Sequence, residues 1–164
     1  MEIGKQWKTI QMVFQQSLSS SLHYALASVN EDGSPHLTPI GSLFLRENKT
    51  GFYFEVFSVQ MSSNLDKDQR VCVLAVNSHT SYWQKSFITG RCEVPPSVRL
   101  IGSVGKRREA TVEEVATWEN HVQFARGMKG YELLWGNMRF VRDIFFDSFE
   151  PVNMGEMTQD FWKV

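Results

Sequence analysis

Residues 22–76 constrain this chain most, because they hold apolar runs punctuated by two sharp turn signals. The first signal is Asp32-Gly33-Ser34-Pro35 and the second is Asn48-Lys49-Thr50-Gly51. Asp-Gly between apolar runs marks a hairpin, since glycine supplies the positive φ that a tight turn needs. The spacing predicts strands over 22–30, 35–46 and 51–58, a short helix over 62–67 with a serine-rich start suited to capping, and a strand over 70–77. That last run, Arg70-Val-Cys-Val-Leu-Ala-Val-Asn77, is β-branched and nearly continuous, which predicts burial on both faces.

The flanking segments complete the pattern. Ile3, Trp7, Ile10, Met12, Val13 and Phe14 recur at near-helical spacing, predicting an amphipathic helix over 3–18. Residues 78–85 read as a polar and aromatic loop. A strand follows over 86–94, with Gly90 at a bulge, and Pro95-Pro96 breaks it. Another strand is expected over 98–104. Thr111 followed three residues later by Glu114 is a capping box, opening a helix that runs to about Ala125. Gly127 and Gly130 end it, strands are expected over 131–134 and 138–146, and the tail 150–164 reads as irregular with Phe161 and Trp162 docked. Strands that arrive as hairpin neighbours, rather than alternating with helices, argue against a doubly wound parallel sheet. They predict a mainly β (α+β) fold, an antiparallel barrel with flanking helices.

Composition narrows the function classes. A chain of 164 residues with 42% apolar and 13% aromatic content is expected to form one domain with an adequate core. A net charge of −1 gives no nucleic-acid footprint, and Lys106-Arg107-Arg108 reads as a solvated turn. No apolar run reaches the length of a membrane span, and the N-terminus lacks a signal-peptide core, so a soluble cytoplasmic protein is expected. Cys72 and Cys92 sit within expected strands as small hydrophobes, with no spacing that suits a metal.

Candidate chemistry concentrates in three places. Ser58-Val59-Gln60-Met61-Ser62-Ser63-Asn64 offers hydroxyls, amides and a helix start, either an anion site without a cation or a capped turn. Thr38-Pro39-Ile40-Gly41 interrupts a strand with a residue that cannot donate and one that admits close approach. It is either an edge bulge or a wall for a flat ring. Trp135, with Gly136 and Arg139 after it, combines an aromatic face with a cation. His23 and His121 are expected to be structural. His36 and His79 lie nearer the site, but no histidine is given a catalytic role. Catalytic residues are not identifiable. No nucleophile elbow, phosphate loop or dinucleotide fingerprint is present.

The run A-x-V-N-E-D-G-S-P-H-x-T-P-I-G from Ala27, then G-F-Y-F from Gly51, then N-L-x-x-D-x-R-V from Asn64, resembles the pyridoxamine 5'-phosphate oxidase-like FMN-binding proteins. Gly90-Arg91-Cys92-Glu93 is similar to a later strand of that family. More weakly, the run from Trp135 to Asp143 resembles the true oxidase's C-terminal motif, with Val141 in place of its histidine and Arg142-Asp143 in inverted order.

The resemblance implies an FMN-binding split barrel over residues 1–164, a homodimer, and a flavin-dependent oxidoreductase acting on a small molecule. Thr38, Pro39, Ile40 and Gly41 would line the isoalloxazine, and Val56, Phe57 and Ser58 would lie along the cofactor. Gln60, Met61, Ser62 and Asn64 would face the phosphate. Trp135 and Arg139 would come from the partner subunit. Pyridoxamine phosphate oxidation itself is not expected, given Val141. The family's phosphate-gripping Arg-Lys pair is replaced by Gln60 and Met61. Arg91, Arg139 or Arg142 would then substitute, or FMN would bind weakly, or another ligand would take the site. The alternative is a non-catalytic flavin-, F420- or heme-binding protein on the same fold.

Overall fold

The computed structural model describes residues 2–162. A helix, α1 (Ile3–Ser21), precedes β1 (Tyr24–Val29), β2 (Pro35–Ile40), β3 (Leu43–Leu45) and β4 (Thr50–Phe54). Next come α2 (Val59–Lys67), β5 (Arg70–Val76), α3 (Thr80–Thr89), β6 (Ser97–Val104) and the two-residue β7 (Arg108–Glu109). The chain then forms α4 (Val112–His121), a 3₁₀ turn (Gln123–Ala125), α5 (Lys129–Trp135), the long β8 (Phe140–Pro151) and a second 3₁₀ turn (Gly155–Thr158).

All pairings are antiparallel, in the order β2-β1-β5-β6-β8-β4-β3, with β7 on β8. The two ends of that order, β2 and β3, are consecutive in the chain and joined only by Gly41-Ser42. Three peptide steps span about 11 Å at most, so the sheet must curl until its edges nearly meet. That geometry is the split barrel. Ser42 extends the β3–β4 pairing by one residue: its hydroxyl donates to the Phe54 carbonyl at 3.1 Å and its own carbonyl accepts from the Phe54 N–H at 3.4 Å.

Two apolar clusters hold the layers together. In the first, the α1 stripe Trp7, Ile10, Val13 and Phe14 packs on Leu26, Val73, Leu100 and Ile144, with Met61 and Leu65 of α2 in the same cluster. Each such side chain contributes roughly 1.5–3 kcal/mol when fully buried. The Trp7 indole donates to the Arg46 carbonyl at 2.9 Å, and the Tyr24 hydroxyl donates to the Phe14 carbonyl at 3.0 Å. The second cluster lies on the other side of the sheet, where Phe52, Phe54 and Val141 meet Trp118 and Val122.

Several expectations are corrected. Residues 78–94 are not loop then strand. They contain α3, held by the Trp83 indole on the Asn77 carbonyl and the Tyr82 hydroxyl on the Val94 carbonyl, both at 2.7 Å. The β-branched look of Ile88 and Thr89 misled, because that stretch faces solvent and Ile88 is exposed. Gly90 caps α3 in the left-handed region at φ 68 rather than forming a bulge, and Cys92 lies outside any strand. The bulge falls instead at Ile101/Gly102 against β8.

Residues 131–134 belong to α5, not a strand, and the helix expected to reach Ala125 stops at His121 before the 3₁₀ turn. Strand β5 alternates instead of burying both faces, since its outward residues Cys72, Leu74 and Val76 are only half-buried. The Lys106–Arg108 segment is not merely a solvated turn, because Arg108 sits between Glu114 and Asp143. Trp162 of the tail packs on Phe149 with ring centroids 5.2 Å apart. Residues 163 and 164 of the expected irregular tail lie outside the described residues.

Candidate functional site

A cavity of about 400 Å³ opens beside the barrel seam. One wall is the end of β2, where Thr38, Pro39, Ile40 and Gly41 run into Ser42. Proline is tolerated there because β2 is an edge strand, bonded only to β1. Glycine is demanded at 41, because a Cβ there would stand 2.7 Å from the Leu22 carbonyl oxygen. A second wall is the segment leaving β4, with Phe54, Val56, Phe57 and Ser58.

The third wall is a flap built from α4, the 3₁₀ turn and α5, contributing Trp118, His121, Val122, Phe124, Leu134, Trp135 and Met138. The local sequence explains its position. Thr111 and Glu114 form the reciprocal capping box that starts α4, with the Thr111 N–H on Glu114 at 2.9 Å and the Glu114 N–H on the Thr111 hydroxyl at 3.2 Å. The same Glu114 carboxylate receives Arg46 at 2.6 Å and Arg108 at 2.7 Å, while Asp143 receives Arg108 at 2.7 Å and Arg46 at 3.0 Å. Those guanidinium hydrogen bonds, Arg108's first, outweigh burial and hold both carboxyls below their ordinary range. Two cations and two carboxylates thus clamp α4 to β3, β7 and β8. Trp118 then stands edge-on to Trp135 at 5.6 Å and to Phe44 at 6.3 Å.

The cavity is apolar and uncharged. Its polar groups are the hydroxyls of Thr38, Ser42 and Ser58 and the imidazole of His121, and among the described residues no cation lines it. Thr38 bonds His36 at 3.0 Å, and Ser58, at the N-cap of α2, makes no side-chain capping bond. His121 lies among the rings of Phe44 and Trp118, with centroids at 5.6 and 5.8 Å. Burial pushes its pKa below the ordinary histidine value, so the neutral imidazole is favoured. The Trp118 indole N–H is buried without a hydrogen-bond partner among the described residues.

The structure brings eight expected residues to this cavity: Thr38, Pro39, Ile40, Gly41, Val56, Phe57, Ser58 and Trp135. Five others stand elsewhere. The Gln60 amide bonds Asn64 at 2.9 Å, and Asn64 in turn donates to Ser28 and Asn30. Met61 is fully buried in the core beneath α2. Ser62 donates to Glu55 at 2.9 Å. Arg139 pairs with Glu109 at 2.6 Å beside a neighbouring cavity that shares Trp118, Trp135 and Met138 as its wall.

The three substitute cations also lie off the site. Arg91 faces Asp160 at 3.7 Å, Arg139 is engaged as above, and Arg142 is buried against Glu55 at 2.5 Å. Within its own chain Trp135 lines the cavity, because α5 folds back over the second apolar cluster. Trp118 and His121 were missed as site residues. Their signal was present: a histidine three residues after a tryptophan shares the apolar stripe of α4 with Val122.

Other candidate chemistry is sparse. Cys72 and Cys92 are free thiols, and burial raises the Cys72 pKa. Among the described residues, no group of three His, Cys, Asp or Glu could hold a metal ion, and no helix is long and apolar enough to cross a membrane.

Comparison with known proteins places this architecture. A family model described as pyridoxamine 5'-phosphate oxidase matches residues 12–144. An FMN-binding protein from Syntrophomonas wolfei subsp. wolfei superposes with a TM-score of 0.57 at 9% identity, covering 93% of this chain and 95% of its own. The heme storage protein HutZ from Vibrio cholerae gives a TM-score of 0.57 at 11% identity, over 88% of this chain and 92% of its own. An F420 reductase gives 0.55 at 12% identity, over 84% and 95%. At these identities the likeness is one of fold. No curated protein matches the sequence.

Proposed function

We propose that this chain, which belongs to the pyridoxamine 5'-phosphate oxidase family, binds a flavin ring in the seam cavity and uses it on a small-molecule substrate. The observation that carries the reading is the cavity itself. A strand edge with a proline and a glycine faces an aromatic flap across about 400 Å³ of apolar space. That volume falls within the usual range for small-molecule sites.

The lining suits a flat aromatic ring. Thr38 to Gly41 would flank one face, with Phe54, Trp118 and Trp135 supplying aromatic surface on the other side. The hydroxyls of Thr38 and Ser58 and the His121 imidazole could meet the polar edge of the ring. When bound, a flavin supplies hydride or electron transfer, and the protein's share is binding, orientation and electrostatics. Here the chain contributes a largely apolar pocket and neutral hydrogen-bonding groups. His121, held neutral by burial, can donate or accept at one nitrogen without placing a charge beside the ring.

A homodimer is part of the proposal. Leu22, Phe57 and Phe124, which line the cavity, are each more than 60% exposed, and Val59 is 79% exposed nearby. A second copy would bury this apolar rim. Light scattering at micromolar concentration should give about twice the mass of one chain.

The test of the main reading is optical. Purified protein should be yellow, or should quench added flavin fluorescence at micromolar concentration. A colourless protein that ignores flavin refutes it. A second reading, a heme binder, is favoured by one feature, the neutral imidazole of His121 facing apolar space. It predicts a Soret band on adding hemin, lost in His121→Ala.

A further inference from the structure

We propose that the cavity recognises a flavin by its ring alone and is indifferent to the phosphate, so that riboflavin serves as well as FMN. This rests on the flavin reading above and concerns which flavin the site selects.

Among the residues lining the cavity Ser58 is the N-cap of α2, an end that suits a phosphate, and Gln60 and Ser62 in the turn that follows are committed elsewhere. The Gln60 amide is bonded to Asn64 at 2.9 Å, and the Ser62 hydroxyl to Glu55 at 2.9 Å. Met61, in the same turn, points into the core. The cations that reach the Glu55–Ser62 cluster beside this helix are Arg142 and Arg107, both neutralised, while Lys67 in its last turn pairs with Glu31 at 2.6 Å. Arg142 binds Glu55 at 2.5 Å and Asp66 at 2.7 Å, and Arg107 binds Glu55 at 3.3 Å. Two positive and two negative charges cancel. Turning Arg142 toward a phosphate would leave the buried Glu55 carboxylate short of its main partner, which strongly disfavours the move.

What remain for a phosphate dianion are the hydroxyls of Ser58 and Ser63 and the backbone at the N-terminus of α2, all of them uncharged. Such an end favours an anion by about two- to five-fold. A built phosphate site with two charge-assisted bonds gives on the order of a hundred-fold or more.

The experiment measures dissociation constants of riboflavin and FMN for flavin-free protein by fluorescence quenching, at 50 and 500 mM NaCl. Agreement of the two constants within about ten-fold, with little change on adding salt, is the expected result. An FMN preference larger than ten-fold that weakens with salt overturns the inference while leaving the flavin reading intact. Failure to bind either flavin removes both.

Discussion

Glu55→Gln is the most informative single perturbation, because one buried carboxylate organises the ground beneath α2. Glu55 and Arg142 are 5% and 2% exposed at their side chains. The carboxylate accepts from Arg142, from the Tyr53 hydroxyl at 3.1 Å and from the Ser62 hydroxyl at 2.9 Å, with Arg107 at 3.3 Å. Neutralising it leaves the Arg142 guanidinium in the interior with Asp66 as its remaining carboxylate, and Asp66 is 65% exposed. Breaking a buried pair from one side costs about 3–5 kcal/mol, and the surviving Asp66 contact argues for the lower end, about 3 kcal/mol. For a chain of this size each kcal/mol moves Tm by roughly 2–4 °C, giving a drop of about 6–12 °C.

Differential scanning calorimetry on the single variants and on Glu55→Leu/Arg142→Met supplies the check. The double variant removes both charges into apolar side chains, so its loss should be well below the sum of the singles. A Tm for Glu55→Gln within 2 °C of the parent, or strictly additive losses, would refute the view of this cluster as a mutually dependent buried network.

Three further outcomes follow from the geometry. Thr111→Ala removes the capping box of α4 and should cost about 1 kcal/mol, or roughly 2–4 °C in Tm; chemical denaturation with an unchanged m-value checks it. Gly102→Ala places a Cβ 2.0 Å from the Phe145 carbonyl oxygen at the β6–β8 bulge, a backbone clash that should cost about 3 kcal/mol or more, read from yield of folded protein and Tm. His121, whose pKa burial lowers from 6.5, is neutral in both states well above that value and adds no pH dependence there. As pH falls below 6.5 the unfolded chain takes up the proton first, so stability declines until the folded value is passed. Tm profiles from pH 8 to 5 should therefore fall less steeply in His121→Asn than in the parent.

The barrel was legible because its signals are local. Asp32-Gly33 sets a turn in which the Gly33 N–H bonds Asn30 and the Asp32 carboxylate accepts from the Ser34 N–H at 2.9 Å. Nothing distant is needed to read it. The segment 80–94 was misread for the opposite reason. Its side chains are ambiguous between strand and helix, and the choice is made by the Trp83 indole reaching the Asn77 carbonyl and the Cys92 N–H reaching the Met157 carbonyl. Neither partner can be assigned from the local pattern.

The site divides along the same line. In the strand-edge half, Thr38 to Gly41 drew notice because a proline and a glycine interrupt a strand, as an edge bulge or a wall alike, whereas Val56 to Ser58 entered through the family resemblance. The flap half was legible in part: Trp135 stood out beside Gly136 and Arg139, whereas Trp118 and His121, though at helical spacing, reach the cavity only after Arg46 and Arg108 bring Glu114 and Asp143 together. Arg142 makes the point most sharply. By sequence it is a cation one position past Val141, available to an anion. By structure it is spent on Glu55, a residue 87 positions away. A cofactor-binding motif transferred by position would credit the site with a charge that the fold has already cancelled. The cavity's chemistry must therefore be argued from what the side chains still have free once the core is built, and here that remainder is aromatic surface, the Ser58 hydroxyl and one neutral imidazole.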